Sequence, residues 1–415
     1  MHILFLTQWF DPEPAFKGLV FAKALRDAGN EVEVITGFPN YPGGRVYPNY
    51  TLRWLQREVM DGIRVNRVPL YPSHDASVAG RALNYVSFAI SSCLYGSLGV
   101  RRADIIYVYH PPLTTAFSAA IISIVRRVPF IVDVNDLWPD SLAATGMVRS
   151  RRVLALVDRV CRWLYKRAAR VVVGTPGIRA RLIERGVPPE KIEVIYNWSD
   201  EKALRLPGAS HARDFGMADR FNVVFAGNMG KAQALDAVIR AAKRVESVNA
   251  RIQFVFVGGG VEVNNLKKLA LELRATNVRF LPHMPMNEVG NVLAAADVLL
   301  VHLKDEPLFE ITIPSKTQAY MSVGKPVLMG VKGDAAQLIG ATGAGRLALP
   351  EDEASLADVV LDMAQLPSTA LAEMGSRGAA FYAQHLSLES GTRKFLALFQ
   401  TVLTMSAGPD AQTRA

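Results

Sequence analysis

The stretch FNVVFAGNMGKAQALD, residues 221–236, decides the fold: an apolar, β-rich run meets a turn bracketed by Gly227 and Gly230, and a helical pattern follows. An apolar run without alternation marks a strand buried on both faces, which occurs in parallel sheets covered by helices. The unit recurs in RIQFVFVGGG (251–260), VRFLP (278–282), ADVLLVHL (296–303) and KPVLMGV (325–331), with helical stretches between. Upstream, HILFLT (2–7), EVEVIT (31–36), DIIYVYH (104–110), PFIVDVN (129–135) and RVVVGT (170–175) read the same way. Between the first two of these, FKGLVFAKALRDAGN has helical spacing and ends at Gly29, a natural stop.

The chain therefore carries two consecutive αβ arrays. Its 415 residues exceed one ordinary core and suit two domains. Segment 200–220, rich in Pro, Gly, Ser and charge, interrupts the periodicity and is expected to link them. The expected organisation is a first domain over 1–200, a linker over 201–220, a second domain over 221–385, and a last helix over 386–405 returning to the first domain. The fold class is α/β, two doubly wound Rossmann-like domains facing across a cleft, with ligands beyond the carboxyl ends of the strands.

Composition excludes several classes. Cys93 and Cys161 are the only cysteines and no CxxC occurs, so a structural zinc is not expected and a reduced, cytoplasmic compartment is. The start, MHILFLTQWF, lacks a basic n-region and reads as a buried strand. Residues 1–200 hold 25 Lys+Arg against 17 Asp+Glu, and the totals of 47 and 38 leave 22 against 21 for the rest, so nearly all the basic excess lies in the first half. It is densest from Arg149 to Arg185, where RVLALVDRVCRWLYKRAAR (152–170) forms an amphipathic basic helix. Such a face attracts an anionic membrane or a phosphorylated acceptor, or is simply solvated. No zinc-finger spacing or interleaved aromatics favour nucleic acid. LNYVSFAISSCLYGSLGV (83–100) is uncharged but rich in Ser, Tyr and Gly, and is expected to be a buried or membrane-surface helix rather than a span.

Three turns carry candidate chemistry. In GNMGKAQALD (227–236), glycines let a backbone approach a phosphate, Lys231 supplies charge, and a helix N-terminus supplies N–H groups. The Walker A spacing is absent. FVGGGVE (256–262), with Gly258, repeats the strand-plus-glycine pattern. Each turn alone is equally an ordinary β-to-α connection; together they would open on one sheet edge. The third is EITIPSKTQAYMSVGKPV (310–327). Ser315 as N-cap and Gln318 three residues on would make a capping box. Capping leaves Lys316 unexplained, because a cation in the first turn opposes the helix dipole unless an anion sits there. Glu310, before the helix, is suited to accept hydrogen bonds from sugar hydroxyls.

These turns, together with DLWPDSLAATG (136–146) and GVPPEKIEVIYN (186–197), resemble the retaining glycosyltransferases of family GT4, which have the GT-B fold. The family's Glu-x7-Glu signature falls on Glu310 and Gln318, and GKPV (324–327) occupies its tail. The runs TGFPNYPGGRVYP (36–48), RALNYVSFA (81–89) and YNWSDE (196–201) resemble a narrower group, the L-fucosamine and related amino-sugar transferases of O-antigen and exopolysaccharide assembly.

The resemblance implies that Glu310 binds the donor sugar, that the loop Ile311, Thr312 to Ser315 cradles phosphate, and that Gln318 stands where a ribose-binding glutamate is usual. Asn228 and Gln233 stand where family members place Arg and Lys on the diphosphate, leaving that charge to Lys231 and Lys316. Asn135, beside Asp136, replaces a family histidine near the reacting carbon, and His110 is a spatial substitute for it or an ordinary structural histidine. The implied activity is retaining transfer of an amino sugar such as N-acetyl-L-fucosamine. It would pass from a UDP-sugar to a lipid-linked saccharide or lipopolysaccharide precursor, without cofactor or metal. The expected location is the cytoplasmic face of the inner membrane, reached through the basic first domain. A UDP-sugar 2-epimerase on the same fold and a non-catalytic nucleotide-sugar-binding subunit are the alternatives.

Overall fold

The apolar runs are strands, in the order that two doubly wound sheets require. The computed structural model describes residues 1–73, 78–144, 148, 150–204 and 215–407. The first sheet contains β1 (His2–Leu6), β2 (Glu31–Gly37), β3 (Gln56–Met60), β4 (Ile63–Val68), β5 (Ile105–His110), β6 (Phe130–Val134), β7 (Arg170–Val173) and β8 (Ile192–Val194). Their spatial order is β3-β4-β2-β1-β5-β6-β7-β8. All neighbours are parallel except the edge pair β3 and β4, a hairpin closed by Asp61 and Gly62 at φ 47° and 83°. The second sheet contains β9 (Phe221–Ala226), β10 (Ile252–Val257), β11 (Val278–Leu281), β12 (Val298–His302), β13 (Val327–Gly330) and β14 (Gly345–Leu347), ordered β11-β10-β9-β12-β13-β14.

In both sheets the strand order reverses beside the first strand. The reversal opens a crevice past the carboxyl ends of β1 and β5 in one sheet and of β9 and β12 in the other. In the second sheet alternate residues feed two cores. Val223, Phe225, Phe254 and Phe256 pack on one face, while Val224, Ala226, Val255 and Val257 pack on the other. Helices Leu235–Val248 and Glu353–Gln365 cover the first face.

The chain divides into two units, residues 1–195 with 392–415, and residues 196–391. The last helix, Leu388–Ala407, joins the first unit from Thr392 onward. There Phe395 packs 5.1 Å from Phe21 and 5.4 Å from Tyr107, ring to ring. Of the linker expected over 201–220, residues 205–214 lie outside the described residues. The flanks do not behave as a linker. Leu204 and Met217 are buried in the second unit's core, because these two apolar side chains find the β9–β12 face within reach.

Candidate active site

The glycine turns after β9 and β10 are built against each other. Gly227, Gly258 and Gly260 adopt φ of 131°, 130° and 146°, a region open to glycine. A Cβ on Gly258 would lie 2.2 Å from the Gly227 carbonyl oxygen, and one on Gly260 would lie 2.4 Å from that of Met229. Backbone hydrogen bonds join the turns: Met229 N–H donates to the Gly259 carbonyl (2.7 Å) and Glu262 N–H to that of Met229 (3.0 Å). Two apposed turns, the first of them beside the switch point, form a rigid backbone surface that an anion can approach closely.

Lys316 enters this surface from the helix Ser315–Val323. Its Cε and Nζ lie 2.8 and 3.1 Å from where a Gly227 Cβ would stand, and its ammonium sits 4.9 Å above the centre of the Phe225 ring. Burial pushes the ammonium down to about 8. An ammonium at a helix N-terminus, half-buried on an aromatic face, is placed to meet a partly desolvated anion.

The capping box expected at this helix is not formed. Pro314, extended at ψ 138°, is the N-cap and has no side-chain acceptor, so Ser315 falls one residue inside the helix and is exposed. Gln318, 2% exposed, turns its amide back to 2.7 Å from the Pro314 carbonyl, and the two groups pair when the amide nitrogen is the atom that faces that oxygen. Proline has committed this carbonyl to the first turn, and Gln318 serves the carbonyl rather than an N–H group.

Glu310 ends the short helix Pro307–Glu310 and is exposed. Its backbone rests on Gly333, where a Cβ would lie 1.9 Å from the Glu310 carbonyl oxygen. Ile311 is half-buried, and the Thr312 hydroxyl donates to the Phe309 carbonyl at 3.1 Å, fixing the loop before Ser315. In the first glycine turn Asn228 and Lys231 are exposed. Gln233 Oε1 instead accepts the Gly230 N–H at 2.9 Å, so its carbonyl end closes the turn. His302, at the end of β12, supports that turn. Its Nδ1 lies 2.7 Å from the Gln233 carbonyl and its Nε2 accepts the Glu351 N–H at 3.0 Å. Burial lowers its pKa, in keeping with a neutral ring. Nothing in the pattern around His302 marks it beyond its place at a strand end.

In the first unit, β5 ends at His110, whose ring is fully buried 5.9 Å edge-on from Trp138. Neither ring nitrogen has a hydrogen-bond partner among the described residues, and burial pushes the imidazole down to about 3. Such a ring is neutral near pH 7 and suits hydrogen bonding better than proton storage. β6 leads to Asn135 and Asp136, half-buried and exposed. Asn135 Nδ2 donates to Asp133 Oδ1 at 3.0 Å. The other oxygen of Asp133 accepts the Tyr107 hydroxyl at 2.6 Å and pairs with the Lys17 ammonium; both ion-pair side chains are almost wholly buried. Sequence reading passes over Lys17 and Asp133, although an aspartate inside the apolar strand IVDV requires a partner. Among the described residues no group of His, Cys, Asp and Glu side chains could hold a metal ion, and no helix is long and apolar enough to cross a membrane.

Comparison with known proteins bears on both units. Residues 19–198 match the Glycosyl transferase 4-like domain and residues 213–379 match Glycosyl transferases group 1. The chain is 27% identical over 313 residues to the probable glycosyltransferase WbjE of Pseudomonas aeruginosa, covering 74% of this chain and 76% of that protein. It is 26% identical over 312 residues to the putative colanic acid biosynthesis glycosyl transferase WcaI of Escherichia coli, covering 72% and 75%. Among solved structures, Anabaena HepE in complex with UDP superposes with a TM-score of 0.71 at 17% identity, covering 97% of this chain and all of that one. WaaG, a glycosyltransferase involved in lipopolysaccharide biosynthesis, gives 0.63 at 16%, covering 96% and 99%. The fold is GT-B, and on the strength of both domain matches the chain belongs to the GT4-like, group 1 glycosyltransferases.

Proposed function

We propose that this glycosyltransferase moves an N-acetylated amino sugar, such as N-acetyl-L-fucosamine, from a UDP donor to a lipid-linked saccharide or lipopolysaccharide precursor, retaining the anomeric configuration. The observation that carries the donor half is Lys316, held against the Gly227 turn at a helix N-terminus. Bond cleavage at the anomeric carbon develops negative charge on the departing diphosphate. Lys316 and the exposed Lys231 are the groups to receive it. Because Lys316 is already desolvated, its charge acts on the leaving group in a medium that screens poorly.

Glu310 would accept hydrogen bonds from donor-sugar hydroxyls and hold the ring in register, while Gln318 braces the loop beneath it. Retention follows if the departing phosphate oxygen takes the acceptor proton on the face it leaves. The half-buried Asn135 amide would then help orient the acceptor, while His110, neutral and fully buried, takes no proton from it. The names of WcaI and WaaG, and the UDP bound in HepE, support a donor and an acceptor of this kind.

The acceptor half also accounts for the outer face of the first unit. The helix Val78–Leu98 exposes Leu83, Val86, Ile90, Leu94 and Leu98 at helical spacing. The helix Leu113–Arg126, packed beside it, exposes Phe117, Ile124 and Val125. The helix Arg151–Arg167 adds Val153 and Leu156 among its arginines. Apolar side chains flanked by cations suit the interface of an anionic bilayer, where the lipid-linked acceptor resides.

The test is incubation of the protein with a panel of UDP-sugars and a polyprenyl-diphosphate saccharide. Product from one donor, with its anomeric configuration kept, is the expected result; inversion, or no transfer from any UDP-sugar, would overturn the reading.

A further inference from the structure

Past the carboxyl ends of β1 and β2 lies an aromatic group that the donor chemistry does not use. Trp9 follows β1, Tyr41 follows β2, and Tyr85 lies on the helix Val78–Leu98. The Trp9 and Tyr41 rings are 5.1 Å apart and tilted by 37°, and Tyr85 stands edge-on to Trp9 at 6.4 Å and 74°. All three side chains are only partly buried.

The support beneath them is a buried polar network. Asn84 accepts from Gln8 Nε2 at 2.6 Å and donates to Asn40 Oδ1 at 3.2 Å and to the Tyr71 carbonyl at 2.7 Å. Glu13 Oε1 accepts the backbone N–H groups of Asn40 and Tyr41, both at 2.7 Å. Gln8, Glu13, Asn40 and Asn84 are each no more than 2% exposed. An apolar core would hold three loops together at lower cost, so a buried polar network points to fixed geometry rather than to stability. Gln8 Oε1 and Arg81 Nε are buried without a hydrogen-bond partner among the described residues. Burial raises the Tyr85 phenol above its ordinary value.

We infer that Trp9, Tyr41 and Tyr85 form a stacking platform for a pyranose ring of the acceptor. The C–H bonds of a sugar's apolar face are partly positive and meet the negative faces of aromatic rings, while the ring's hydroxyls need polar groups in its own plane. A prenyl diphosphate alone offers neither feature. The inference rests on the acceptor role proposed for this unit and adds that the unit reads the saccharide and not only the lipid diphosphate.

The test uses the full chain labelled with 5-fluorotryptophan. Its five tryptophans give separate fluorine resonances, and Trp9→Phe assigns one of them. Methyl glycopyranosides of a hexose, a 6-deoxyhexose and an N-acetylhexosamine are titrated, and in parallel a sugar-free prenyl diphosphate. At least one glycoside should move the Trp9 resonance, and the prenyl diphosphate should not. Tyr41→Leu and Tyr85→Leu should each weaken that glycoside by about tenfold, the loss expected of one aromatic contact, with UDP affinity unchanged. The platform is overturned if no glycoside moves Trp9, or if the prenyl diphosphate moves it as far. Failure of UDP-sugar transfer with a surviving glycoside shift would remove the donor reading and leave the platform standing.

Discussion

Lys316 is out of place by the rules of its own helix and in place by those of an anion site. A cation in the first turn opposes the helix dipole unless an anion visits, and this one lies against the Gly227 turn, pushed down to about 8 by burial. A bound diphosphate favours the charged form and returns the proton affinity. UDP binding near pH 8 to 9 should therefore take up a proton, and affinity should fall as pH rises through about 8. Titration calorimetry in two buffers of different ionisation enthalpy measures the uptake; identical heats would contradict it. The same shift makes stability rise with pH between about 8 and the ordinary lysine value, where the unfolded chain binds more protons. Its neighbours are less legible. Ser315 and Gln318 fit a capping box in spacing, but Pro314 takes the cap position and reverses what Gln318 must satisfy. Gln318→Glu would set a carboxylate against the Pro314 carbonyl and should lower stability by about 1–3 kcal/mol, as chemical denaturation would read; an unchanged midpoint would contradict that geometry. The pairing of Lys17 with Asp133 joins residues 116 positions apart, a distance no local pattern spans.

At the scale of elements, strands buried on both faces declare themselves by composition: the β-rich runs 2–7, 31–36, 104–110, 129–135 and 170–175 each hold a strand, whereas the longer uncharged run 83–100 falls in the helix Val78–Leu98. Elements that lack such a run give a weaker signal. β3 and β4 alternate or carry charge, though Asp61-Gly62 between them is a hairpin signal, and β8 and β14 are three-residue edges. The glycine turns are visible as glycines, but their mutual hydrogen bonds need the β9–β10 pairing to bring them side by side. Gly258→Ala and Gly260→Ala should each cost about 1–3 kcal/mol of strain, and should weaken UDP more than they weaken any ligand of the first unit. Thermal unfolding and UDP titration of the variants test this; wild-type affinity in both would remove the turns from the donor site. Lys17→Met tests the buried pair. It should destabilise by about 3–5 kcal/mol because Asp133 keeps a buried charge, and Lys17→Met with Asp133→Leu should recover part of the loss. A neutral single variant would show that the pair holds nothing in place.

At the scale of the whole molecule, two αβ arrays with a break between them are enough to anticipate two parallel sheets. The break itself is less legible, since Leu204 and Met217 on its flanks are core residues of the second unit. Charge division assigns the basic excess to the first half, but only the folded helices place Leu83, Ile90 and Leu94 on one exposed face. Reversing Arg151, Arg152, Arg159 and Arg162 to glutamate should release the protein from anionic vesicles, each lost cation removing about 1 kcal/mol of surface attraction. Flotation with and without anionic lipid measures it, and unchanged binding would show that this patch does not dock. Transfer of sugar from a UDP donor whose diphosphate is held by Lys316 is the central claim. Its most direct test is the rate of UDP-sugar transfer to a polyprenyl-diphosphate saccharide by wild type and by Lys316→Gln. Loss of one hydrogen bond to a charged group, worth about 1.5–3 kcal/mol, should weaken donor binding and slow transfer roughly ten- to a hundredfold, with the fold intact. A Lys316→Gln enzyme that binds UDP and transfers sugar as wild type does would contradict it.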